Sequence, residues 1–88
     1  MKYQYPIDPD WTTDEIITIV QFFEQVERAY ETKVNREELL QRYREFKRIV
    51  PSTREEKHIF KRFKQISTYD SYFAVKKAQE SHVKEISM

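Results

Sequence analysis

The stretch VNREELLQRYREFKRIVPSTREE, residues 34–56, decides the fold of this 88-residue chain. Asn35 is a suitable N-cap for a helix, and Glu38 stands at the third helical position, where it can answer the cap. Pro51 ends this helix near Ile49 or Val50, because the residue before a proline is driven out of the α region. Apolar side chains recur between these ends at helical spacing: Leu39, Leu40, Tyr43, Phe46 and Val50. The stretch therefore predicts one amphipathic helix with both ends marked.

A first helix is predicted to begin at Thr12, with Glu15 as the partner in its capping box. Its inward stripe comprises Ile16, Ile19, Val20, Phe23, Val26 and Tyr30. Ile17 and Phe22 widen this stripe beyond what one neighbouring helix would cover. We therefore expect Ile17, Phe22 and the preceding Trp11 to contribute to an interface with another protein or with a second copy of the chain.

Two more helices are predicted after the second one. Ser52 caps a third helix over about residues 53–67, and Asp70 caps a weaker fourth helix that ends between residues 80 and 84. The side chains expected to point inward are Ile59, Phe60, Phe63 and Ile66 on the third helix, and Tyr72, Val75, Ala78 and Val83 on the fourth. The helical part of the chain thus contains three strong helices and one weak one.

Both termini are predicted to lie outside the helices. Pro6 and Pro9 preclude a regular helix in residues 1–11, so we expect an extended arm whose large side chains lie across the helices. Residues 85–88 are expected to be a frayed tail. The sequence therefore predicts a single all-α domain over residues 1–88, a compact three- to four-helix bundle with an extended N-terminal arm.

The composition excludes several kinds of chemistry. The chain has no cysteine and no glycine, which excludes disulfides and argues against glycine-rich phosphate loops. With two histidines and no converging acidic pair, we expect no catalytic residue, no metal and no cofactor. We expect no membrane-spanning segment and no signal peptide, and therefore a cytoplasmic location.

Positive charge is concentrated in the middle of the chain. Residues 1–32 carry seven acidic and two basic side chains, whereas residues 33–64 carry eleven basic and five acidic ones. Successive turns of the third helix place four of these bases on its outer face: Arg54, Lys57, Lys61 and Lys64. The favoured interpretation is a solvated face partly paired with the acidic first helix. The alternative is contact with nucleic acid, to which Arg44, Lys47 and Arg48 would add, although no aromatic side chain is interleaved on that face.

Several short segments of the chain form a recognisable pattern: Tyr5-Pro6-Ile7-Asp8, Ala29-Tyr30-Glu31, Arg36-Glu37-Glu38-Leu39-Leu40 and, most specifically, Val50-Pro51-Ser52 after Phe46-Lys47. Together they resemble the uncharacterised protein family 0223, small cytosolic proteins of Bacillus-type bacteria. The resemblance covers most of residues 3–80. The family often carries glycine where this chain has Lys33 and Thr68. The resemblance implies an all-helical domain without an assigned activity or catalytic residue.

These observations favour a non-enzymatic interaction or regulatory module that presents helical faces to an unknown protein partner or to its own copy. The alternative function is a nucleic-acid-binding accessory protein that uses the basic face of residues 44–64. The tyrosines Tyr30, Tyr43, Tyr69 and Tyr72 are interpreted as structural, with the alternative that some of them line a pocket.

Overall fold

The computed structural model describes residues 4–88 and confirms the predicted all-α fold. Its four helices are α1 (Thr13–Glu31), α2 (Arg36–Ile49), α3 (Thr53–Ser67) and α4 (Ser71–Glu80). Two short strands, β1 (Val34–Asn35) and β2 (Glu85–Ile86), pair in antiparallel orientation. In residues 4–88, no helix is long and apolar enough to cross a membrane.

Each helix begins at the cap that the sequence predicts. The cap side chain accepts the backbone N–H of the third helical residue at 3.2 Å for Thr12, 3.0 Å for Asn35, 3.2 Å for Ser52 and 3.0 Å for Asp70. At α1 the box is complete, because the Glu15 carboxylate accepts the Thr12 backbone N–H at 2.8 Å. These bonds satisfy N–H groups that have no partner within the helix.

A cluster of phenylalanine rings joins the first three helices. Phe23 of α1 stacks on Phe63 of α3 with ring centroids 4.2 Å apart, and Phe22 lies 5.0 Å from Phe46 of α2. Phe22 is fully buried in this cluster, which corrects its assignment to an outward interface. The part of the wide apolar face of α1 that contains Phe22 is covered within the chain, because α2 and α3 both pack against it through aromatic side chains.

The N-terminal arm packs on the same cluster. Residues 4–8 form neither helix nor strand, and the Tyr5 ring stacks on Phe23 and Phe63 with centroids 6.0 and 6.1 Å away. The Tyr5 hydroxyl donates to the Glu27 carboxylate at 2.7 Å. Tyr5 thus covers one side of the core, as the sequence predicts for the arm. The part of the predicted arm at residues 1–3 lies outside the described residues.

The C-terminal segment is ordered by pairing, so the prediction of a frayed tail is wrong. Ile86 of β2 pairs with Val34 of β1 and is only 3% exposed. The backbone N–H of Met88 donates to the carbonyl oxygen of Ala29 at 2.8 Å. Sequence periodicity misses this strand because two residues are too few to show a pattern.

Three side chains predicted to point inward are exposed instead: Ile66, Tyr72 and Val83. On α3 the buried row continues from Phe63 to Ser67, one full turn later, and so passes Ile66 by. On α4 the buried face consists of Ser71, Ala74, Val75 and Ala78. These small side chains let α4 approach its neighbours, and Tyr72 is left on the outside.

Candidate interaction groove

An open groove of about 680 Å³ runs along one side of α3, between α2 and the start of α4. Its apolar surface comes from Tyr43 of α2, Phe60 of α3 and Tyr72 of α4. Four lysines line it as well: Lys47, Lys57, Lys61 and Lys64. The groove therefore brings aromatic and cationic side chains from three helices together, and we call it the lysine–aromatic groove.

One wall of this groove is fixed by a buried carboxylate. Glu56 is 8% exposed and accepts hydrogen bonds from the Tyr43 hydroxyl at 2.7 Å and from the Lys47 ammonium at 2.6 Å. Desolvation, followed by the bond to Glu56, raises the pKa of Tyr43 above its ordinary value. Two donors thus compensate the buried charge of Glu56, and they hold this wall in one arrangement.

The lysines on the opposite side differ in whether they are paired. Lys64 lies 3.4 Å from a carboxylate oxygen of Asp70, which also caps α4. Lys57 and Lys61 are both exposed, and neither forms an ion pair within residues 4–88. They are the two groove lysines that remain available for an external anion.

The predicted basic stripe is split by the structure. Lys57, Lys61 and Lys64 line the groove, whereas Arg54 is exposed outside it. Within the described part of the chain, none of the four forms an ion pair with α1, so the favoured pairing with the acidic first helix is not found.

Aromatic side chains line the groove together with three of these bases, and the exposed one, Tyr72, comes from α4 and not from the α3 face that carries the bases. Tyr72 is 59% exposed, and the Lys76 ammonium lies 6.0 Å from its ring centroid. Phe60 lies on the groove floor but is only 7% exposed. The spacing of bases on α3 cannot reveal Tyr72, because this side chain comes from another helix. Tyr43 and Tyr72 thus line a pocket, which was the alternative interpretation of the tyrosines.

The predicted interface residues do not share one environment. Ile17 is 50% exposed, Trp11 is partly buried against the core, and Phe22 is inside it. Of the three, Ile17 is the one that exposes half of its surface.

Within residues 4–88, no group of three or more His, Cys, Asp or Glu side chains is arranged to hold a metal ion.

Comparison with known proteins gives a consistent family match. The model of an uncharacterised protein family (UPF0223) matches residues 2–87. The UPF0223 protein OB1419 of Oceanobacillus iheyensis is 53% identical over 88 residues, which is the full length of both chains. The UPF0223 protein YktA of Bacillus subtilis is 51% identical, again over both full lengths. The UPF0223 protein SSP1692 of Staphylococcus saprophyticus is 56% identical over 81 residues, covering 92% of this chain and 88% of that protein.

Proposed function

The chain belongs to the uncharacterised protein family UPF0223, and from its lysine–aromatic groove we propose that it is a non-enzymatic module that binds another protein. The observation that carries the proposal is the conjunction of a fixed wall, an exposed tyrosine and two unpaired lysines in one groove. The proposed site of action is the cytoplasm.

The fixed wall supports binding because it needs little ordering when a partner arrives. Glu56 already holds Tyr43 and Lys47, so their side-chain entropy is lost on folding and not on association. Tyr72 supports a protein partner in particular, since exposed tyrosines often carry much of the binding energy at protein interfaces.

Binding is favoured over catalysis by the state of the acidic groups in the groove. Glu56 accepts from two donors, and Asp70 accepts the Phe73 backbone N–H and lies beside Lys64. A general acid or base needs access to a proton on a substrate. Both carboxylates are already engaged in structural contacts, so we propose no catalytic role for them.

The proposal is tested by selecting peptides from a random phage-displayed library on the immobilised protein. Selection on the wild-type chain is compared with selection on Tyr72→Ala, with Phe73→Ala as the matched control. Phe73 is the next residue of α4, is 55% exposed and lies outside the groove lining. We expect peptides that bind the wild type and Phe73→Ala but not Tyr72→Ala. A library that yields no Tyr72-dependent peptide would contradict the proposal.

Nucleic acid is the competing ligand, and a second assay tests it. Oligothymidine and mixed RNA are assayed by filter binding at low salt, because phosphate contacts weaken steeply as salt rises. If nucleic acid is retained by the wild type but not by the Lys57→Glu/Lys61→Glu variant, the groove binds a polyanion, and the proposal of protein binding would be wrong. Lys47 contributes less to that alternative than expected, since it is paired with Glu56, whereas Arg44 is exposed and bonds to the neutral Gln41.

A further inference from the structure

We infer that the occupant of the lysine–aromatic groove is an acidic segment of a partner protein that carries one large apolar side chain. The inference rests on the proposed function and adds the chemistry of the partner. The two observations behind it are the positive charge of Lys57 and Lys61 and the exposed apolar surface of Tyr72 in the same groove.

The positive charge of the groove favours a partner segment that carries carboxylates. Lys57 and Lys61 are one helical turn apart on α3, and like charges at this spacing repel each other. Lys64 lies on the same face and pairs with Asp70, which is also the N-cap residue of α4. A bound segment with two carboxylates about 6 Å apart, the rise of four helical residues, would match both free lysines.

The apolar surface of the groove favours a partner segment that also carries one large apolar side chain between these carboxylates. Tyr72 presents most of its surface to solvent at the start of α4, and Phe60 closes the floor beneath the lysines. An aromatic or aliphatic side chain placed against Tyr72 would remove apolar surface from water. An acidic helix or strand with a single such side chain fits both features at once.

The same groove disfavours a polynucleotide. Lys47 and Lys64 are already paired with Glu56 and Asp70, so within residues 4–88 the groove has only Lys57 and Lys61 left for phosphates, and two lysines provide few phosphate contacts. Single-strand binding also relies on several open ring faces, and Phe60 is almost fully buried. A short acidic peptide needs neither a long cationic track nor a series of stacking platforms.

The inference is tested on the Tyr72-dependent peptides from the library selection. We expect these peptides to combine Asp or Glu with one large apolar residue, and replacement of their acids by Asn or Gln to weaken binding about fivefold or more. Selection on Lys57→Glu/Lys61→Glu is expected to yield basic peptides instead. The matched control Arg54→Glu/Arg62→Glu carries the same charge change on α3 outside the groove lining and should keep the acidic preference.

The outcomes separate this inference from the proposed function. Tyr72-dependent peptides that are neutral or basic would overturn the acidic partner and leave protein binding in place. The absence of any Tyr72-dependent peptide would overturn both. Groove-dependent binding of oligothymidine without peptide binding would also overturn both, and so would a concentration-dependent dimer that Tyr72→Ala abolishes in analytical ultracentrifugation, because the occupant would then be a second copy. Thermal melts of every variant check that these exposed substitutions leave the fold intact.

Discussion

Thr68 shows how a single residue carries a conformational cost in this chain. It follows α3 with φ 69° and ψ −1°, and within residues 4–88 it is the one non-glycine residue with a positive φ. A β-branched side chain is strained there, whereas glycine adopts this conformation without a steric penalty. The left-handed turn directs the chain away from α3, and the next backbone N–H, that of Tyr69, then donates to the Ser67 hydroxyl at 3.1 Å.

Replacement of Thr68 by glycine is therefore expected to raise the free energy of unfolding by about 1 kcal/mol. Urea denaturation measures the change. Ser81→Gly is the matched control, because Ser81 ends α4 in the ordinary extended region at φ −82° and ψ 150° and its hydroxyl accepts the Val83 backbone N–H. That variant should be destabilised. A Thr68→Gly protein less stable than the wild type would contradict the strain argument.

Two tyrosine hydroxyls make stability depend on alkaline pH. Burial, followed by the hydrogen bond to a carboxylate, raises the pKa of Tyr5 beside Glu27 and of Tyr43 beside Glu56. An unfolded tyrosine ionises near pH 10, before the folded one does. The contribution of both groups is thus fully present below about pH 10 and is lost as the pH rises further.

We expect the free energy of unfolding to fall above about pH 10 and to fall less steeply in Tyr5→Phe/Tyr43→Phe. Urea denaturation at a series of pH values measures both slopes, and the absorbance of tyrosinate reports the ionisation. The double variant loses two hydrogen bonds at every pH, so the slope and not the absolute stability is compared. Equal slopes would show that these hydroxyls do not account for the alkaline transition.

At the scale of elements, the chain uses its last residues to close the structure. β2 pairs with β1, and the Lys77 ammonium bonds to the Ser87 carbonyl at 2.5 Å. The Arg36 guanidinium donates to the Ala78 carbonyl at 2.6 Å, which ties the start of α2 to the end of α4. These contacts join α4 to the strand that precedes α2.

Ile86→Ala is expected to lower the free energy of unfolding by about 2 kcal/mol or more, since it removes a buried side chain from this junction. Val83→Ala provides the control, because Val83 is exposed in the same segment and should change stability by less than about 0.5 kcal/mol. Chemical denaturation of both variants measures the two changes in the free energy of unfolding. Similar small losses would indicate that the tail contributes little.

At the scale of the whole molecule, one core serves the arm, the helices and the tail. Tyr5 of the arm stacks on Phe23 and Phe63, while Ile86 of the tail belongs to the same buried cluster. A domain of this size has a small margin of stability, and the helices, arm and tail in residues 4–88 share this one buried cluster. The arm should therefore unfold together with the helices.

We expect Trp11 fluorescence and far-UV circular dichroism to report the same thermal midpoint. Trp11 is the only tryptophan and packs at the end of the arm against the core, whereas the dichroism follows the helices. Coincident curves are the mark of a single cooperative transition. An earlier change in fluorescence would show that the arm detaches before the bundle melts.

The sequence by itself determined the positions of the helices. Thr12, Asn35, Ser52 and Asp70 each bond to a residue three positions later, so the signal and its partner lie in the same short segment. Pro51 acts on its direct neighbour for the same reason. Local hydrogen bonds and local sterics can be identified along the chain without knowledge of the fold.

Only the tertiary structure decided which helix faces remain uncovered. It buried Phe22, paired Ile86 with Val34, and placed Tyr72 of α4 in the same groove as Lys57 and Lys61 of α3. The periodicity of one helix shows that it has an apolar side but not how many neighbours cover it. The groove exists because small side chains on α4 allow close packing and leave the large ones outside, which is a property of the assembled helices.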